Sequence, residues 1–237
     1  ESVYFALLNR NKRSITLDLK KPEAREIALR LAERVDIVVE NFRPGVAQRL
    51  GIGYADVAAR NPRAIYLSVS GFGQHGPMRD WPAYDLVIQA MGGLMSITGE
   101  PDGLPMAVGD SIDDVSTGLF GAWALMAALH ARSRDGRGRH IDLAMMDSVF
   151  SLLVTRLSQW VGQGTVPGRV GNRHPVTAPV DAYRAADGLF VLVVPSDGLF
   201  ATLCRTIGEP ALVDDRRFAT NAGRQTNQAA LKQRIEA

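Results

Sequence analysis

The hydrophobic positions of the first 150 residues follow two periods, one typical of strands and one of helices. Short alternating or β-branched runs predict strands, and apolar residues three and four apart predict helices. The predicted strands are Ser14–Leu19, Val35–Glu40, Ala64–Ser70 and His140–Met145. The predicted helices between them are Ala24–Arg34, Val46–Leu50, Tyr54–Arg60, Ala83–Met91 and Leu119–His130. Strands that alternate with helices predict an α/β fold, with a mostly parallel sheet covered by helices on both faces.

The pattern changes in the last third of the chain. A helix is predicted from Asp147 to Trp160, and Gly and Pro then dominate from Gly162 to Pro179. This composition predicts a linker at 166–180, after a large domain at 1–165 and before the start of a smaller domain at 181–237.

The residues after the linker predict a hairpin and helices. Asp181–Val194 is typical of two strands with an Asp-Gly turn, and an apolar helix from Leu199 includes Cys204 as a packing residue. A helical pattern, Asn227–Ala237, ends the chain, and the first residue is not Met. We therefore expect a piece of a longer polypeptide.

Composition narrows the class of protein. An apolar fraction of 46% permits a full core, and a charged fraction of 22% is near average. The net charge of +2 gives no argument for nucleic acid, and the single cysteine excludes an internal disulfide. No apolar run reaches the length expected of a membrane span, and no signal peptide is visible. These features predict a cytoplasmic protein with neither nucleic acid nor a membrane as partner.

Three aspartates, Asp110, Asp113 and Asp114, precede the apolar run Leu119–His130, which is predicted to be a helix buried on nearly all sides. The positive end of the helix dipole keeps a carboxylate ionised there, which suits a nucleophile. The alternative is that one of the aspartates is simply the N-cap.

Other candidate sites are weaker. Gly71–Gly76 matches the G-x-G-x-x-G fingerprint, but Pro77–Pro82 follows in place of a helix, so we expect a flexible loop over a pocket and no nicotinamide site. The four histidines are scattered and no metal site is predicted. Basic residues at Arg10–Arg13 and Lys20–Lys21 suit either a phosphate-bearing ligand or a solvated face.

Several motifs together resemble the class III coenzyme A transferases, the family of formyl-CoA transferase and the carnitine and bile-acid CoA transferases. The motifs are Asn9–Ser14, Leu17–Lys20, Val39–Gly45, Ser70–Pro77, Tyr84–Asp85, Ile112–Gly118, Gly136–Gly138 and Asp142. They span essentially the whole chain in order. The resemblance implies a large domain with a Rossmann-like sheet, a smaller α/β domain, and a homodimer of two interlocked chains.

The resemblance also implies an activity, in which coenzyme A moves from an acyl-CoA to a free carboxylic acid. It selects Asp114, rather than Asp110 or Asp113, as the nucleophile that forms a mixed anhydride and then an aspartyl-CoA thioester. Coenzyme A is a substrate in this reaction, which needs no ATP, metal or nicotinamide.

The family's coenzyme A contacts fall on matching residues of this chain. Leu17 and Lys20 match residues at the nucleotide end, and Arg49 matches a basic residue near the ADP phosphates. The other matches are the adenine-side pair Asn41 and Phe42, the adjacent Arg43, and the pair beside the thioester, Tyr84 and Asp85. The alternative for Phe42 and Leu17 is packing in the core, and for Lys20 and Arg49 it is an ordinary surface charge.

The chain departs from the family pattern at two places. Pro82 stands where formyl-CoA transferase has a basic residue, and Gly171–Pro175 replaces its glycine run, which together argue against oxalate or formate as substrate. Two alternatives to a transferase stay open. An α-methylacyl-CoA racemase uses a His where this chain has Tyr84, and a phenol is a poor base at neutral pH. A non-catalytic subunit that binds coenzyme A is the other alternative.

Overall fold

The N-terminal sheet is parallel in a computed structural model, which describes residues 2–237. Its strands are β1 (Ile37–Glu40), β2 (Ile65–Ser70) and β3 (His140–Ala144), in the order β1-β2-β3. Ile37 pairs with Ile65, and Tyr66 pairs with His140. Strands of this kind, rich in Val, Ile and Leu, form parallel sheets that helices cover. The predicted mixed α/β fold with a parallel sheet is confirmed.

Helices and a hairpin make up the rest of the regular structure. The helices are α1 (Val3–Asn9), α2 (Pro22–Ala32), α3 (Val46–Arg49), α4 (Tyr54–Arg60), α5 (Asp85–Met91), α6 (Leu94–Ile97), α7 (Ile112–Asp135), α8 (Met145–Leu152), α9 (Val154–Gln163), α10 (Asp197–Thr206), α11 (Asn221–Thr226) and α12 (Gln228–Ile235). The hairpin strands are β4 (Val180–Ala185) and β5 (Gly188–Val193), and a 3-10 turn spans Pro210–Val213.

The chain divides into two units. The first comprises the residues up to Ile88 and Asp113–Ser148, and the second comprises Gln89–Ile112 and Val149–Ala237. This division by contacts differs from the predicted domains at 1–165 and 181–237, whose boundaries stay a prediction.

The two faces of the parallel sheet carry different side chains. Successive side chains of a strand point to opposite faces. Tyr66 lies on the face covered by α2 and α4, where it packs with Leu29 and Val57. Leu67 and Leu143 lie on the other face, toward α7, and a Cβ built on Gly121 would be 3.3 Å from a methyl group of each. The sheet therefore has helices on both faces, as predicted.

The second unit has its own core behind the hairpin. Phe200, Cys204 and Phe218 are buried there with Leu231, which confirms the predicted packing role of Cys204. Arg224 is also buried. Its guanidinium donates to the carbonyls of Ala178 and Phe218 and to the Asp197 carboxylate, so its charge and donors are satisfied.

The predicted strand Ser14–Leu19 is wrong. These residues have no regular secondary structure and are mostly exposed. A strand needs a neighbouring strand to take its backbone hydrogen bonds, and none pairs with this segment in residues 2–237. The alternation of polar and apolar residues was therefore not sufficient to predict a strand.

The sequence predicts that helix α7 is buried on nearly all sides, and this prediction is wrong. It begins at Ile112, and Leu119, Trp123 and Met126 are exposed along its length. The buried face is narrow because close contact with the sheet is made through small residues, among them Gly121. By length and composition α7 could also span a membrane, contrary to the expectation that no run is long enough, although core helices pass the same test.

The tryptophans share this exposure. Trp123 is 74% exposed, and Trp81 and Trp160 are each more than half exposed. The chain has three tryptophans, so its indole rings all contact solvent.

Candidate active site

The first turn of α7 is held by a carboxylate from another helix. The backbone N–H of Asp113 donates to Oδ1 of Asp85 at 2.8 Å, which satisfies one of the free amides of the helix start. Asp110 lies before the helix, and its Oδ1 accepts from the N–H of Ser111. The alternative that one of the three aspartates caps the helix is therefore wrong for the N–H of Asp113, because Asp85 provides the acceptor for that group.

Asp113 and Asp114 are neighbours with different environments. Asp113 is fully buried, and neither oxygen of its carboxyl group has a hydrogen-bond partner. Burial, together with the charges of Asp85 and Asp114, raises its pKa to about 6. Asp114 is exposed to the adjoining cavity, and its pKa is also raised, by partial desolvation and by Asp85. Burial and the neighbouring carboxylates therefore both disfavour the ionised form of these two groups.

A cavity of about 490 Å³ lies between α7 and the sheet. Asp114, Thr117, Gly118 and Gly121 contribute one side of it, at the spacing of one helix face. The remaining lining is mainly apolar and comes from Val39, Asn41, Leu67, Val69, Ala122, Leu125 and Met145. Asp114 is the only ionisable group among these residues, so its carboxylate faces a small apolar space.

Asn41 lies in the same cavity, at the end of β1. Its Nδ2 donates to the carbonyl of Val69 at 2.8 Å, which ties the end of β1 to β2. The carboxyl ends of parallel strands are the usual place for ligands in α/β sheets. The structure therefore brings the predicted contacts Asn41 and Asp114 together.

Thr117 is a member of the site that the sequence analysis missed. Its Oγ1 is buried, has no hydrogen-bond partner and belongs to a residue that lines the cavity. It lies three residues after Asp114, so the two side chains are neighbours on the helix surface. This spacing of three residues from Asp114 is the feature of the sequence that could have identified Thr117.

The other predicted coenzyme A contacts do not line this cavity. Leu17 and Lys20 lie in a segment without regular structure, and Phe42 and Arg43 follow β1 on the surface. Arg49 lines a different cavity. Tyr84 is 79% exposed. Their assignment to coenzyme A stays a prediction.

The arrangement favours nucleophilic chemistry by a carboxylate. Asp114 can attack an electrophilic carbonyl in an apolar space, and Thr117 can donate a hydrogen bond beside it. No group of three His, Cys, Asp or Glu side chains in residues 2–237 is placed to hold a metal ion.

Comparison with known proteins gives consistent matches. The model of CoA-transferase family III matches residues 1–237. An acetyl-CoA:oxalate CoA-transferase of Acetobacter aceti is 46% identical over 237 residues, which are 100% of this chain and 61% of that protein. A succinate–glutarate CoA-transferase of Agrobacterium fabrum is 41% identical over 99% of this chain and 58% of its own length.

Solved structures agree with these matches. The crystal structure of a CAIB/BAIF family protein from Brucella suis superposes with a TM-score of 0.83, at 41% identity over 98% of this chain and 62% of that one. The chain thus spans about three fifths of the length of the relatives it matches.

Proposed function

Because the chain belongs to CoA-transferase family III, we propose that the protein moves coenzyme A from an acyl-CoA thioester to a free carboxylic acid, with Asp114 as the nucleophile. The observation that carries this proposal is the Asp114 carboxylate at the wall of an apolar cavity of about 490 Å³, with no cation in the lining. A carboxylate that is partly desolvated is a stronger nucleophile than one that is fully hydrated, and partial desolvation raises the pKa of Asp114.

The first half of the proposed reaction loads the enzyme. A carboxylate oxygen of Asp114 attacks the thioester carbonyl, the C–S bond breaks, and coenzyme A leaves as its thiolate. The acyl group is then held as a mixed anhydride. The thiolate attacks the aspartyl carbonyl of that anhydride, which releases the donor acid as its carboxylate and leaves an aspartyl-CoA thioester.

The second half reverses these steps with a new acid. The acceptor carboxylate attacks the aspartyl thioester and expels the thiolate, which gives a second anhydride. The thiolate then attacks the acceptor's carbonyl, so that a new acyl-CoA leaves and the Asp114 carboxylate is restored. No proton is gained or lost overall, and a thioester is exchanged for a thioester.

The lining of the cavity fits the needs of this chemistry. Water would hydrolyse the anhydride and the thioester, so an apolar wall made by Leu67, Val69 and the glycines of α7 protects them. The unpartnered hydroxyl of Thr117 is a donor for the oxygen that becomes negative when Asp114 attacks.

The substrates are proposed as a class. The relatives are named for oxalate, succinate and glutarate, so we propose short dicarboxylic acids as acceptors. Pro82 and Gly171–Pro175 predict that oxalate is not a substrate, whereas the Acetobacter relative is named for oxalate. Oxalate therefore belongs in the panel of acids that is tested. The homodimer implied by the resemblance and the cytoplasmic location predicted from composition also stay proposals.

The test is CoA exchange, followed by mass spectrometry, between acyl-CoA donors and a panel of free acids. Asp114→Asn should abolish exchange and the aspartyl adduct that hydroxylamine traps. Asp110→Asn is the matched control, because Asp110 lies outside the helix and the cavity, and it should keep most of the activity. Substantial exchange by Asp114→Asn would contradict the assignment of the nucleophile.

A further inference from the structure

The start of helix α5 (Asp85–Met91) determines where the Asp85 carboxylate lies. Oδ1 of Asp85 accepts the backbone N–H of Asp113 at 2.8 Å, in the first turn of α7. Asp114 is the next residue, and it lines the apolar cavity. Free amides at a helix start need an acceptor, so this hydrogen bond fixes the turn that carries Asp114. Contacts that hold the residues just before Asp85 therefore bear on the position of the proposed nucleophile.

Ala83, two residues before Asp85, packs directly on Gly71, the first residue after β2. A Cβ on Gly71 would come closer than 3.0 Å to the Cβ of Ala83, a distance that two side-chain carbons essentially never reach. The next nearest atoms are the Cα and N of Ala83, at 3.6 and 3.9 Å, which are ordinary contact distances. The φ angle of Gly71 is not in the left-handed region. Glycine is therefore required here by the single methyl group of Ala83, and not by the backbone conformation.

The loop that carries Gly71 is also tied to β3 and α8. The N–H of Met146 donates to the carbonyl of Gly71 at 3.0 Å. The N–H of Gln74 donates to both carboxylate oxygens of Asp142 at 3.0 Å. The loop can move away from Ala83 only if these hydrogen bonds lengthen or break, which is costly for backbone groups. A side chain at position 71 is therefore expected to displace Ala83, and with it the start of α5.

We propose that Gly71 is a positioning residue for the transferase reaction. Because it has no side chain, Ala83 packs close to the loop, and the Asp85 carboxylate lies where it holds the first turn of α7. These residues all belong to the first unit, and Gly71 is not in the lining of the Asp114 cavity. Its effect on the reaction therefore passes through the start of α5. The inference rests on the proposed function of Asp114.

Three variants test the contact, namely Gly71→Ala, Ala83→Gly and the double variant. Gly71→Ala should lower kcat for CoA exchange about tenfold or more, with a smaller change in KM, because a small misplacement of a reacting group slows the chemical step. The double variant removes the obstructing methyl group, so its kcat should return to within about threefold of wild type. Gly162→Ala is the matched control, because a Cβ there meets nothing within 4 Å, and it should keep the wild-type kcat.

Hydrogen exchange of the Asp113 amide, followed by NMR, tests the same contacts without reference to activity. Gly71→Ala should speed exchange of this amide about tenfold or more, because the hydrogen bond to Asp85 is weakened, and the double variant should restore the wild-type rate. The amides of β2 and β3 report the stability of the whole unit, and their exchange should change less. Equal acceleration of all these amides would assign the effect to general destabilisation and overturn the positioning role.

The kinetic results separate this inference from the proposed function. Wild-type kcat in Gly71→Ala would overturn the inference. An equal loss in the single and the double variant would do the same, since the methyl group of Ala83 would then not be the cause. If Gly71→Ala does not fold, the double variant decides, because it must fold and keep its kcat. Absence of CoA exchange in the wild-type protein would refute the proposed function together with this inference, whereas exchange by the wild type and an unaffected Gly71→Ala variant would refute this inference alone.

Discussion

The ionisation of Asp113 is linked to the stability of the fold, because its carboxyl group is fully buried. Burial raises its pKa from 3.8 to about 6. Between these two pH values the folded chain holds a proton that the unfolded chain has released, so the free energy of unfolding falls as pH rises through this window. Above about pH 6 the decrease in the free energy of unfolding is complete, and below the unfolded pKa of 3.8 there is no decrease.

Asp113→Asn should therefore stabilise the protein in a pH-dependent manner. The amide keeps the shape of the side chain and removes the buried charge. We expect a gain on the order of 2 kcal/mol near pH 8 and little change near pH 4. Urea unfolding of both proteins across this range measures the difference. A gain that does not vary with pH would show that ionisation of Asp113 is not its source.

Thr117 makes a prediction about catalysis rather than stability. Thr117→Val keeps the volume and removes the hydroxyl group, so kcat for CoA exchange should fall about 10²-fold, as for the loss of one transition-state donor. Ser116→Ala is the matched control, because that hydroxyl is also buried but donates to the backbone carbonyl of Asp113 and is not in the lining. Similar losses in both variants would assign the effect to the helix and not to the donor.

At the scale of elements, α7 has two glycines that face different surroundings. A Cβ on Gly118 would meet nothing within 4 Å, whereas one on Gly121 would be 3.3 Å from Leu67 and Leu143 of the sheet. Gly118→Ala should thus stabilise the helix by about 0.5–1 kcal/mol. Gly121→Val should destabilise the fold by about 1–3 kcal/mol, because its methyl groups push α7 from the sheet. Thermal unfolding of the two variants measures whether each one raises or lowers the stability of the protein. Stabilisation by Gly121→Val would refute the close packing of α7 on the sheet.

The elements also show what the sequence could and could not predict. The strands β1, β2 and β3 were predictable from their short apolar runs, and the run of β2 is buried on both faces of the sheet. Ser14–Leu19 has an equally good alternation, but whether it forms a strand depends on a neighbour, which a local pattern does not contain. The burial of α7 failed for a similar reason, since its apolar residues exceed the surface that the sheet offers.

The candidate site was predictable only where the sequence carries a motif. Asp114 and Asn41 follow from the resemblance, and the structure places both in one cavity. Other features depend on contacts between helices and across the sheet. They are the hydrogen bond from the N–H of Asp113 to Asp85, the partnerless hydroxyl of Thr117, and the separate cavity that Arg49 lines. Composition and spacing do not specify such contacts.

At the scale of the whole molecule, the choice between transferase and racemase can be made with heavy water. A racemase removes the α-proton of its substrate and returns one from solvent, whereas the proposed transferase never touches the α-carbon. Tyr84, at the position of the racemase His, is largely exposed. We expect CoA exchange with no deuterium at the α-carbon of a 2-methylacyl-CoA. Asp114-dependent deuteration without transfer to any acid would reverse this conclusion.

The exposed tryptophans have a practical consequence for spectroscopy. Indole emission shifts to longer wavelength in water, and Trp81, Trp123 and Trp160 already contact solvent in the folded chain. Unfolding should therefore change the emission maximum very little, so intrinsic fluorescence is a poor signal for denaturation curves. The same rings make a sensitive signal for association, because any partner that covers the outer side of α7 must move Trp123 out of water and shift its emission to the blue.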